Sequence, residues 1–379
     1  MAAWHPEMLS TYLQSATRAD DQSDTLPGSF FGADNMMNRT VFSALTTAAL
    51  LALGPVGGAL AADDAEAFFK GRTITVTVGY GAGGGYANYC RQVIGTLNNY
   101  IPGKPTVVCA YMPGGGGVKA ANYMYNVAPR NGAMLSMISD YAALAQLLEP
   151  KKVKYDIGKF KWVGIMVPAN PVLMVRKGAK VQTWNDLYKD ELIVGLTGIL
   201  AQDGINTRLM NTYLGTRMKL VAGYESTPKI ALAMEKGEVD ASLSSWISWK
   251  TRAKSQLADG RFIPIAQIGF KKAWDLPNLP LVSDFAKGDE ARQVMALAAG
   301  SAPFGRSITV PPGYPAYLLA ALRKAFDETM KDKEFLASAK KRNIEIDPMR
   351  GEEIEPILAS LMATPPSVIA AFRKAAGIK

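Results

Sequence analysis

The chain has 379 residues, a length typical of about two domains. Hydrophobic residues make up 48% and charged residues 20%, which argues against a disordered chain and against a membrane protein with many spans. The formal net charge of +9 becomes +12 beyond residue 61, because two of the 42 basic but five of the 33 acidic residues precede that point. A positive excess attracts anionic solutes and would also suit nucleic acid, but the densest basic cluster is only Lys340-Lys341-Arg342. No nucleic-acid partner is therefore expected.

The first recognisable segment is a secretory signal peptide at residues 37–61. Arg39 precedes an apolar run, Val41–Leu53, that is too short to span a bilayer, and small residues lead to a cleavage site after Ala61. The alternative is a buried core helix. Residues 1–36 lie upstream of this complete signal and are interpreted as a non-native extension from an upstream start site; translation from the first residue would make the signal internal. The sequence thus predicts a periplasmic protein.

The residues beyond the signal disfavour most catalytic chemistry. The only histidine, His5, precedes the signal, so the exported part has no histidine base, nucleophile partner or metal ligand. The only cysteines, Cys90 and Cys109, form no Cys-x-x-Cys motif. In an oxidising compartment these two cysteines can pair or stay free, and the sequence leaves this open. We predict a protein with no enzymatic activity, metal or cofactor.

Three units of strand, loop and helix follow the signal. Their strands are short and β-branched or apolar, and the first two loops are rich in glycine. Successive units of this kind build a parallel sheet with helices on its faces. In order, the predicted elements are strand Thr73–Val78, helix Tyr86–Leu97, strand Thr106–Ala110, helix Val118–Tyr125, strand Met134–Ile138 and helix Tyr141–Leu148.

A second series follows a proline-bearing segment, Pro168–Pro171, which is interpreted as a crossing between two lobes. The predicted lobes are residues 67–168 with 292–379, and residues 169–291. Phe262–Ile268 and Met295–Ala299 are predicted as strands that carry the chain back, before four helices between Pro315 and Ala376. The remaining predictions are strands Trp162–Val167, Val172–Val175, Leu192–Leu196, Lys219–Ala222 and Val239–Leu243, with helices Asp203–Leu214 and Lys229–Lys236.

The first glycine loop matches G-x-G-x-x-G over Gly79–Gly84, directly after a strand, as in dinucleotide-binding proteins. Such proteins need an acidic residue at the end of the second strand, where this chain has Cys109–Met112, and the Gly-Lys-Ser/Thr triplet of a phosphate loop is missing too. The nucleotide interpretation is therefore disfavoured. The loops Gly79–Gly85 and Gly114–Gly117 instead place free helix N–H groups at the carboxyl ends of neighbouring strands, where they stabilise an anion. Tight turns without a binding role are the alternative.

Several motifs of the chain resemble those of one family. They are Phe69-Lys70-Gly71-Arg72-Thr73-Ile74, Gly83-Gly84-Gly85-Tyr86, Met112-Pro113-Gly114-Gly115-Gly116-Gly117, Ala128-Pro129-Arg130-Asn131-Gly132, Gly223-Tyr224 to Pro228, and Met234 to Asp240. Together they resemble the Bug family, the periplasmic substrate-binding proteins of tripartite tricarboxylate transporters, over Phe69–Lys379. The chain has Ala82 where the family commonly has Pro, and Ala87 where it commonly has Asp. The missing carboxylate argues against a ligand with an ammonium group.

The resemblance implies a type II periplasmic-binding-protein fold, in which two α/β lobes, each a mostly parallel sheet with flanking helices, are joined by a two-strand hinge. It also implies a monomer that closes on a small mono-, di- or tricarboxylate and delivers it to membrane permease subunits. Asp203 is interpreted as a helix cap. Carried over by position, the implied ligand contacts are Tyr80, Gly81, Ala82, Gly83, Gly84, Gly85, Tyr86, Gly114, Gly115, Gly116, Gly117 and Ser139 in the first lobe, and Thr197, Gly198, Gln202, Tyr224, Ser226 and Ser245 in the second.

Two other functions stay open at the level of sequence. One is an exported α/β enzyme that acts on an anionic substrate through Ser, Asp or Lys. The other is a ligand sensor for a membrane histidine kinase. The missing histidine disfavours the enzyme, whereas no residue separates a transport role from a sensing role.

Overall fold

The computed structural model describes residues 64–378, so the predicted N-terminal extension and signal peptide lie outside the described residues. The described part forms a six-stranded and a five-stranded sheet. The strands are β1 Thr73–Val78, β2 Thr106–Tyr111, β3 Met134–Met137, β4 Lys161–Ile165, β5 Pro171–Arg176, β6 Leu192–Leu196, β7 Met218–Ala222, β8 Ala241–Ser245, β9 Phe262–Gln267, β10 Ser307–Val310 and β11 Met349–Arg350.

Helices pack against both sheets. They are α1 Gly85–Tyr100, α2 Val118–Asn126, α3 Ala142–Leu148, α4 Gln202–Leu214, α5 Thr227–Lys236, α6 Trp246–Arg252, α7 Lys254–Ala258, α8 Asp289–Ala299, α9 Ala316–Lys331, α10 Lys333–Lys341, α11 Gly351–Met362 and α12 Pro366–Ala376. Residues 64–69 are also helical. The helical period is clearest in α1, whose residues Tyr86, Tyr89, Val93 and Leu97 are buried on one face.

The first sheet has the order β11-β4-β10-β3-β1-β2. β1 lies between β2 and β3 and pairs in parallel with both. Its β-branched sequence TITVTV suits a central strand, and its last three residues are buried. The carboxyl ends of these three strands therefore meet at one edge of the sheet, where the glycine loops follow.

The second sheet has the order β7-β6-β8-β5-β9. The two-lobed α/β fold that the sequence predicted is confirmed, but both sheets are mixed and not mostly parallel. Two of the five pairings in the first sheet and two of the four in the second are parallel. The antiparallel pairings all involve strands β4, β5 or β10, because these three strands adjoin the chain segments that pass between the lobes.

Two chain segments cross between the sheets and pair with each other. Residues 166–170 lead from β4 to β5, and residues 300–306 lead from α8 to β10. Backbone N–H groups of Met166 and Ala169 donate to the carbonyls of Arg306 and Ala302, both at 2.8 Å, and the N–H of Arg306 donates to Val167 at 2.9 Å. This two-stranded ladder is the predicted hinge.

The predicted return strand Met295–Ala299 is wrong, because these residues form the last turns of helix α8. A short apolar run such as MALAA has no period that separates a buried strand from a buried helix, while its alanines favour a helix. All five residues are buried. The C-terminal helix α12 packs against α4 and α8, two helices that lie in the chain between the two crossing segments.

Cys90 of α1 and Cys109 of β2 form a disulfide, with Cα atoms 6.3 Å apart. The bond joins the first glycine-led helix to the strand beside it. Within residues 64–378, no single helix is long and apolar enough to cross a bilayer; α11 and α12 meet that criterion only as a pair that is bent by 80°.

Candidate ligand-binding site

A cavity of about 350 Å³ lies between the two lobes, at the carboxyl ends of β1 and β3. Its size falls at the small end of the range for ligand sites in proteins. From the first lobe and the hinge it is lined by Tyr80, Gly84, Gly85, Tyr86, Asp140 and Arg306, and from the second by Pro171, Thr197, Gln202, Asp203, Asn206, Thr227, Leu243, Ser244, Ser245, Ser248 and Arg252.

Of the glycines in the first glycine loop, only the last two line this cavity. Gly84 is the N-cap of α1 and lines the cavity together with Gly85, and no side chain caps the helix. The first N–H groups of α1 and the positive end of its dipole are therefore close to the cavity. The predicted contacts Gly81, Ala82 and Gly83 are exposed and do not line it.

The second glycine loop packs against the first but does not line the cavity. The Cα of Gly117 is 3.2 Å from the position that a Cβ on Gly79 would take, so the two loops touch. All four residues from Gly114 to Gly117 have positive φ angles between 56° and 145°, which explains the run of glycines. The hydroxyl of Tyr80 donates to the carbonyl of Gly116 at 3.2 Å, so this loop positions a cavity residue.

Two tyrosines form an aromatic wall of the cavity. The rings of Tyr80 and Tyr86 stack with centroids 4.5 Å apart. Tyr80 shares a hydrogen bond of 2.6 Å with Ser139, and the Tyr86 hydroxyl donates to Gly305 at 3.1 Å. The sequence-predicted residues Tyr80, Tyr86 and Ser139 are thus joined in one network, although Ser139 itself lies behind the wall.

Arg306 is the functional residue that sequence reasoning missed. Its guanidinium carbon lies 4.1 Å from the centroid of the Tyr86 ring, on the hinge segment, and only 4% of the residue is exposed. Nη1 is 3.7 Å from a carboxylate oxygen of Asp140, which is an ion pair but not a hydrogen bond. Nε and Nη1 are buried and have no hydrogen-bond partner. The only sequence signal was a single arginine between the apolar run of residues 302–304 and the partly β-branched run of residues 307–310.

Arg306 is a buried cation with one counterion, the carboxylate of Asp140. Burial raises the pKa of the Asp140 carboxyl, and the nearby Arg306 guanidinium opposes part of that rise. Nη2 of Arg306 lies 3.7 Å from the position that a Cβ on Gly85 would take, which places the cation beside the N-terminus of α1. A cation at the positive end of a helix is unfavourable unless an anion joins them.

The second lobe contributes a wall of hydroxyl, amide and carboxyl groups. Asp203 is not the N-cap residue of α4, which is Ala201, but its carboxylate accepts a hydrogen bond from the first-turn N–H of Gly204 at 2.9 Å, as a cap does. It also accepts from the N–H of Thr197 at 2.6 Å. Gln202 donates to Ser301 of the hinge at 2.8 Å. Asn206, which the sequence did not single out, lines the cavity and has a buried amide nitrogen without a partner.

The remaining predicted contacts divide into two groups. Thr197, Gln202 and Ser245 line the cavity, as the resemblance implied for ligand contacts. Gly198, Tyr224 and Ser226 do not line it. Ser226 is the N-cap of α5, and its carbonyl accepts from two N–H groups of that helix, so its place in the fold has a structural explanation.

A second cavity of about 280 Å³ shares Gly85 and Ser248 with the first and extends toward Arg91 and Arg342. Both arginines are exposed, and Arg91 already donates to three groups of its own lobe. The first cavity is the better candidate because only there is an arginine buried. Its unpartnered donors suit an anionic, oxygen-bearing group of a ligand.

Comparisons with known proteins agree on the fold. No family model and no curated protein matches the sequence. Among solved structures, a TctC solute-binding protein from Polaromonas has a TM-score of 0.60 at 15% identity, over 79% of this chain and 98% of its own. A protein from R. palustris solved with adipate has a TM-score of 0.59 at 17% identity, over 81% of this chain and 97% of its own.

The periplasmic binding protein BugD gives a TM-score of 0.59 at 18% identity, over 81% of this chain and 98% of its own. Two of these neighbours thus carry the names TctC and Bug, and the resemblance to the Bug family that the motifs predicted is confirmed in the fold. The chain has the fold of two-lobed periplasmic binding proteins. At identities below 25%, this likeness describes the fold.

Proposed function

We propose that this chain is a periplasmic solute-binding protein of the Bug type that captures a small carboxylate between its lobes. Arg306 is the observation that carries this proposal. Its buried guanidinium lines the interlobe cavity, and two of its nitrogen atoms have no hydrogen-bond partner. An arginine fork matches a carboxylate through two parallel N–H···O bonds, and leaving such donors unpaired in a buried site costs free energy. A ligand carboxylate supplies the missing acceptors.

Helix α1 supports the same ligand class. Its uncapped N-terminus begins at Gly85 and adds backbone donors and a partial positive charge next to Arg306. Asp140 balances only part of this positive potential, at 3.7 Å. A negative ligand group is therefore favoured at the first-lobe end of the cavity. The adipate in the R. palustris neighbour is consistent with this class of ligand.

The polar groups of the cavity favour binding without turnover. A serine nucleophile needs an adjacent base. Ser139 is bonded to the Tyr80 hydroxyl, whose pKa is raised by burial and by the charge of Asp140, so this hydroxyl stays protonated near neutral pH. Ser245 shares its hydrogen bond with Ser248 at 2.8 Å. The carboxylate nearest to Ser139, Asp140, lies 3.5 Å from its hydroxyl and is paired with Arg306. The hydrogen-bond partner of Ser245 is a second serine and not a base. Both arrangements support a role that is not enzymatic.

The transport role is the finer part of the proposal. The signal sequence predicts export, and a disulfide between Cys90 and Cys109 suits an oxidising compartment. The proposal includes a monomer that works with separate permease subunits of a tripartite tricarboxylate-type transporter. The names of the structural neighbours support the same partners.

The test is a ligand screen on the chain recovered from the periplasm of a Gram-negative host. A ligand that binds only the folded state stabilises it by about 2.7 kcal/mol at one hundred times its Kd, so the thermal midpoint rises. We expect short carboxylic acids to raise the midpoint, and their amide and alcohol counterparts to have no effect. Recovery of the chain from the cytoplasm only would contradict the location.

Calorimetry and product analysis complete this test. Saturable heats with an unchanged ligand afterwards support a binding protein. Conversion of the acid would contradict a role in binding alone, and a screen in which no acid binds the folded chain would remove the carboxylate proposal.

A further inference from the structure

Two residues with buried, unpartnered donor atoms line the interlobe cavity, one on the hinge and one in the second lobe. Among residues 64–378, nine buried side-chain atoms have no hydrogen-bond partner, and those that line this cavity belong to Arg306 and Asn206. Arg306 lies on the hinge just before β10, whereas Asn206 lies on α4 after β6. A ligand held between the lobes is in a position to satisfy both.

Asn206 faces the part of the hinge that carries Arg306. Gln202, one helical turn earlier on α4, donates to Ser301, which is five residues before Arg306 on the same crossing segment. Residues four apart lie on one face of a helix, so Asn206 continues the face that Gln202 presents to the hinge. Only 2% of Asn206 is exposed, and its Nδ2 is buried.

An unsatisfied amide in this place has a cost. A buried donor without an acceptor destabilises a protein, and native structures contain few of them. The nearest carboxylate along the helix, Asp203, is already occupied by the N–H groups of Thr197 and Gly204. The acceptor for Asn206 is therefore expected from outside the chain.

Charge decides what kind of acceptor fits. Burial raises the pKa of the Asp203 carboxyl, and the hydrogen bonds from the N–H groups of Thr197 and Gly204 oppose part of that rise. Backbone N–H groups can only donate, so both oxygens of Asp203 act as acceptors here, as they do in a carboxylate. A second ligand carboxylate at Asn206 would lie close to this negative charge. Arg252 also lines the cavity but is exposed, and exposed ion pairs contribute little. An uncharged oxygen, such as a ketone, hydroxyl or amide carbonyl, meets no such repulsion.

We propose that Asn206 determines specificity by donating a hydrogen bond to an uncharged oxygen of a ligand whose single carboxylate is held by Arg306. The ligand class is then a short monocarboxylate with a second, neutral acceptor, such as an oxo acid, a hydroxy acid or the half-amide of a dicarboxylic acid. This inference rests on the proposed function, since it requires that Arg306 holds a carboxylate.

The experiment measures affinity by calorimetry for three acids of equal chain length: butyrate, succinate and succinamate, the half-amide. The wild-type chain is expected to bind succinamate roughly tenfold more tightly than butyrate, the effect of about one hydrogen bond. Succinate is expected to bind more weakly than succinamate. Asn206→Leu, which replaces the amide by an apolar group of similar size, is expected to abolish the preference for succinamate and to leave butyrate binding in place.

Urea unfolding of the ligand-free variant separates this role from a structural one. Removing an unsatisfied buried donor should leave stability unchanged or raise it, whereas a structural hydrogen bond would be lost at a cost. Asn206→Ala gives the same comparison of ligands if leucine does not fit.

Three outcomes would overturn the inference. The first is an unchanged preference for succinamate in both Asn206 variants, as expected if an ordered water satisfies Asn206. The second is an equal loss of affinity for all three acids in these variants. The third is tighter binding of succinate than of succinamate by the wild-type chain. In each case carboxylate binding itself survives. If none of the acids binds the folded wild-type chain, the proposed function fails as well, so the two failures are distinguishable.

Discussion

At the scale of single residues, the proposed site depends on the guanidinium of Arg306. Its partner Asp140 stands 3.7 Å away, and its other neighbours are the faces of Tyr86 and Tyr89. Cation–π contacts orient the guanidinium plane but use none of its N–H groups. The preceding residue, Gly305, has to be a glycine, because a Cβ there would come within 1.9 Å of the carbonyl oxygen of Val167.

We predict that Arg306→Met lowers the affinity for any bound carboxylate at least tenfold, since a charge-assisted bond is worth about 1.5–3 kcal/mol. The single change also leaves Asp140 buried without its counterion, which destabilises the fold. The double variant Arg306→Met, Asp140→Asn should therefore recover stability in urea unfolding but not affinity in calorimetry.

Asp140→Asn alone serves as the matched control. It removes the competing carboxylate, so affinity for an acid should stay the same or increase. A double variant that binds acids as tightly as the wild type would show that Arg306 does not contact the ligand.

Sequence reasoning found the part of the site that local patterns encode and missed the part that depends on tertiary structure. Gly84, Gly85 and Tyr86 follow directly from a strand, a glycine loop and a helix. Arg306 and Asn206 lie about 220 and 120 residues further along the chain, and no local pattern marks them. Their distinguishing property is burial without a hydrogen-bond partner, which only the folded structure reveals.

Helix α1 is the element that links the sequence motif to the cavity. Its N-cap, Gly84, has an extended backbone with φ −89° and ψ 174°, a conformation that other residues also adopt. The absence of a capping side chain leaves the first N–H groups of α1 free for a ligand.

We predict that Gly84→Asp lowers carboxylate affinity at least tenfold, because the new carboxylate accepts from the free N–H groups and repels the ligand. The fold should persist, since Asp is a favoured N-cap residue and the thermal midpoint of the ligand-free chain should not fall. Gly95→Asp is the matched control: it makes the same change in charge on the same helix, roughly 15 Å away along its axis. Equal losses in both variants would contradict a local role of the α1 N-terminus.

The regular elements were largely predictable because their patterns are local. Strand β1 and strand β6 have the predicted ends, and helix α2 differs by one residue. The failure at Met295–Ala299 has a physical cause: the last turns of α8 are buried on all sides, so this stretch shows no helical period. The mixed pairing of the sheets was missed because strand direction depends on where the chain crosses between lobes.

At the scale of the whole molecule, an ion-pair cluster joins the two lobes beside the cavities. Lys250 of α6 donates to Asp275 at 2.8 Å within the second lobe and also pairs with Glu345. Glu345 lies in the segment that follows α10. Its chain neighbours Ile344 and Ile346 pack in the core of the first lobe. Burial raises the pKa of Glu345, and the Lys250 ammonium opposes part of this rise.

We predict that Lys250→Met shifts the ligand-free chain toward an open form, because the side chains of Lys250 and Glu345 are only 21% and 10% exposed and breaking such a pair leaves a poorly solvated carboxylate. The radius of gyration from small-angle X-ray scattering should increase and return on addition of a saturating acid, and affinity should fall roughly tenfold, or about 1.4 kcal/mol. Lys236→Met is the control, since Lys236 pairs with Glu238 inside one lobe at 3.9 Å and is exposed. If the radius of gyration is equal in the two variants, the lobes are held together by the hinge and the apolar core they share, and Lys250 contributes only to local stability.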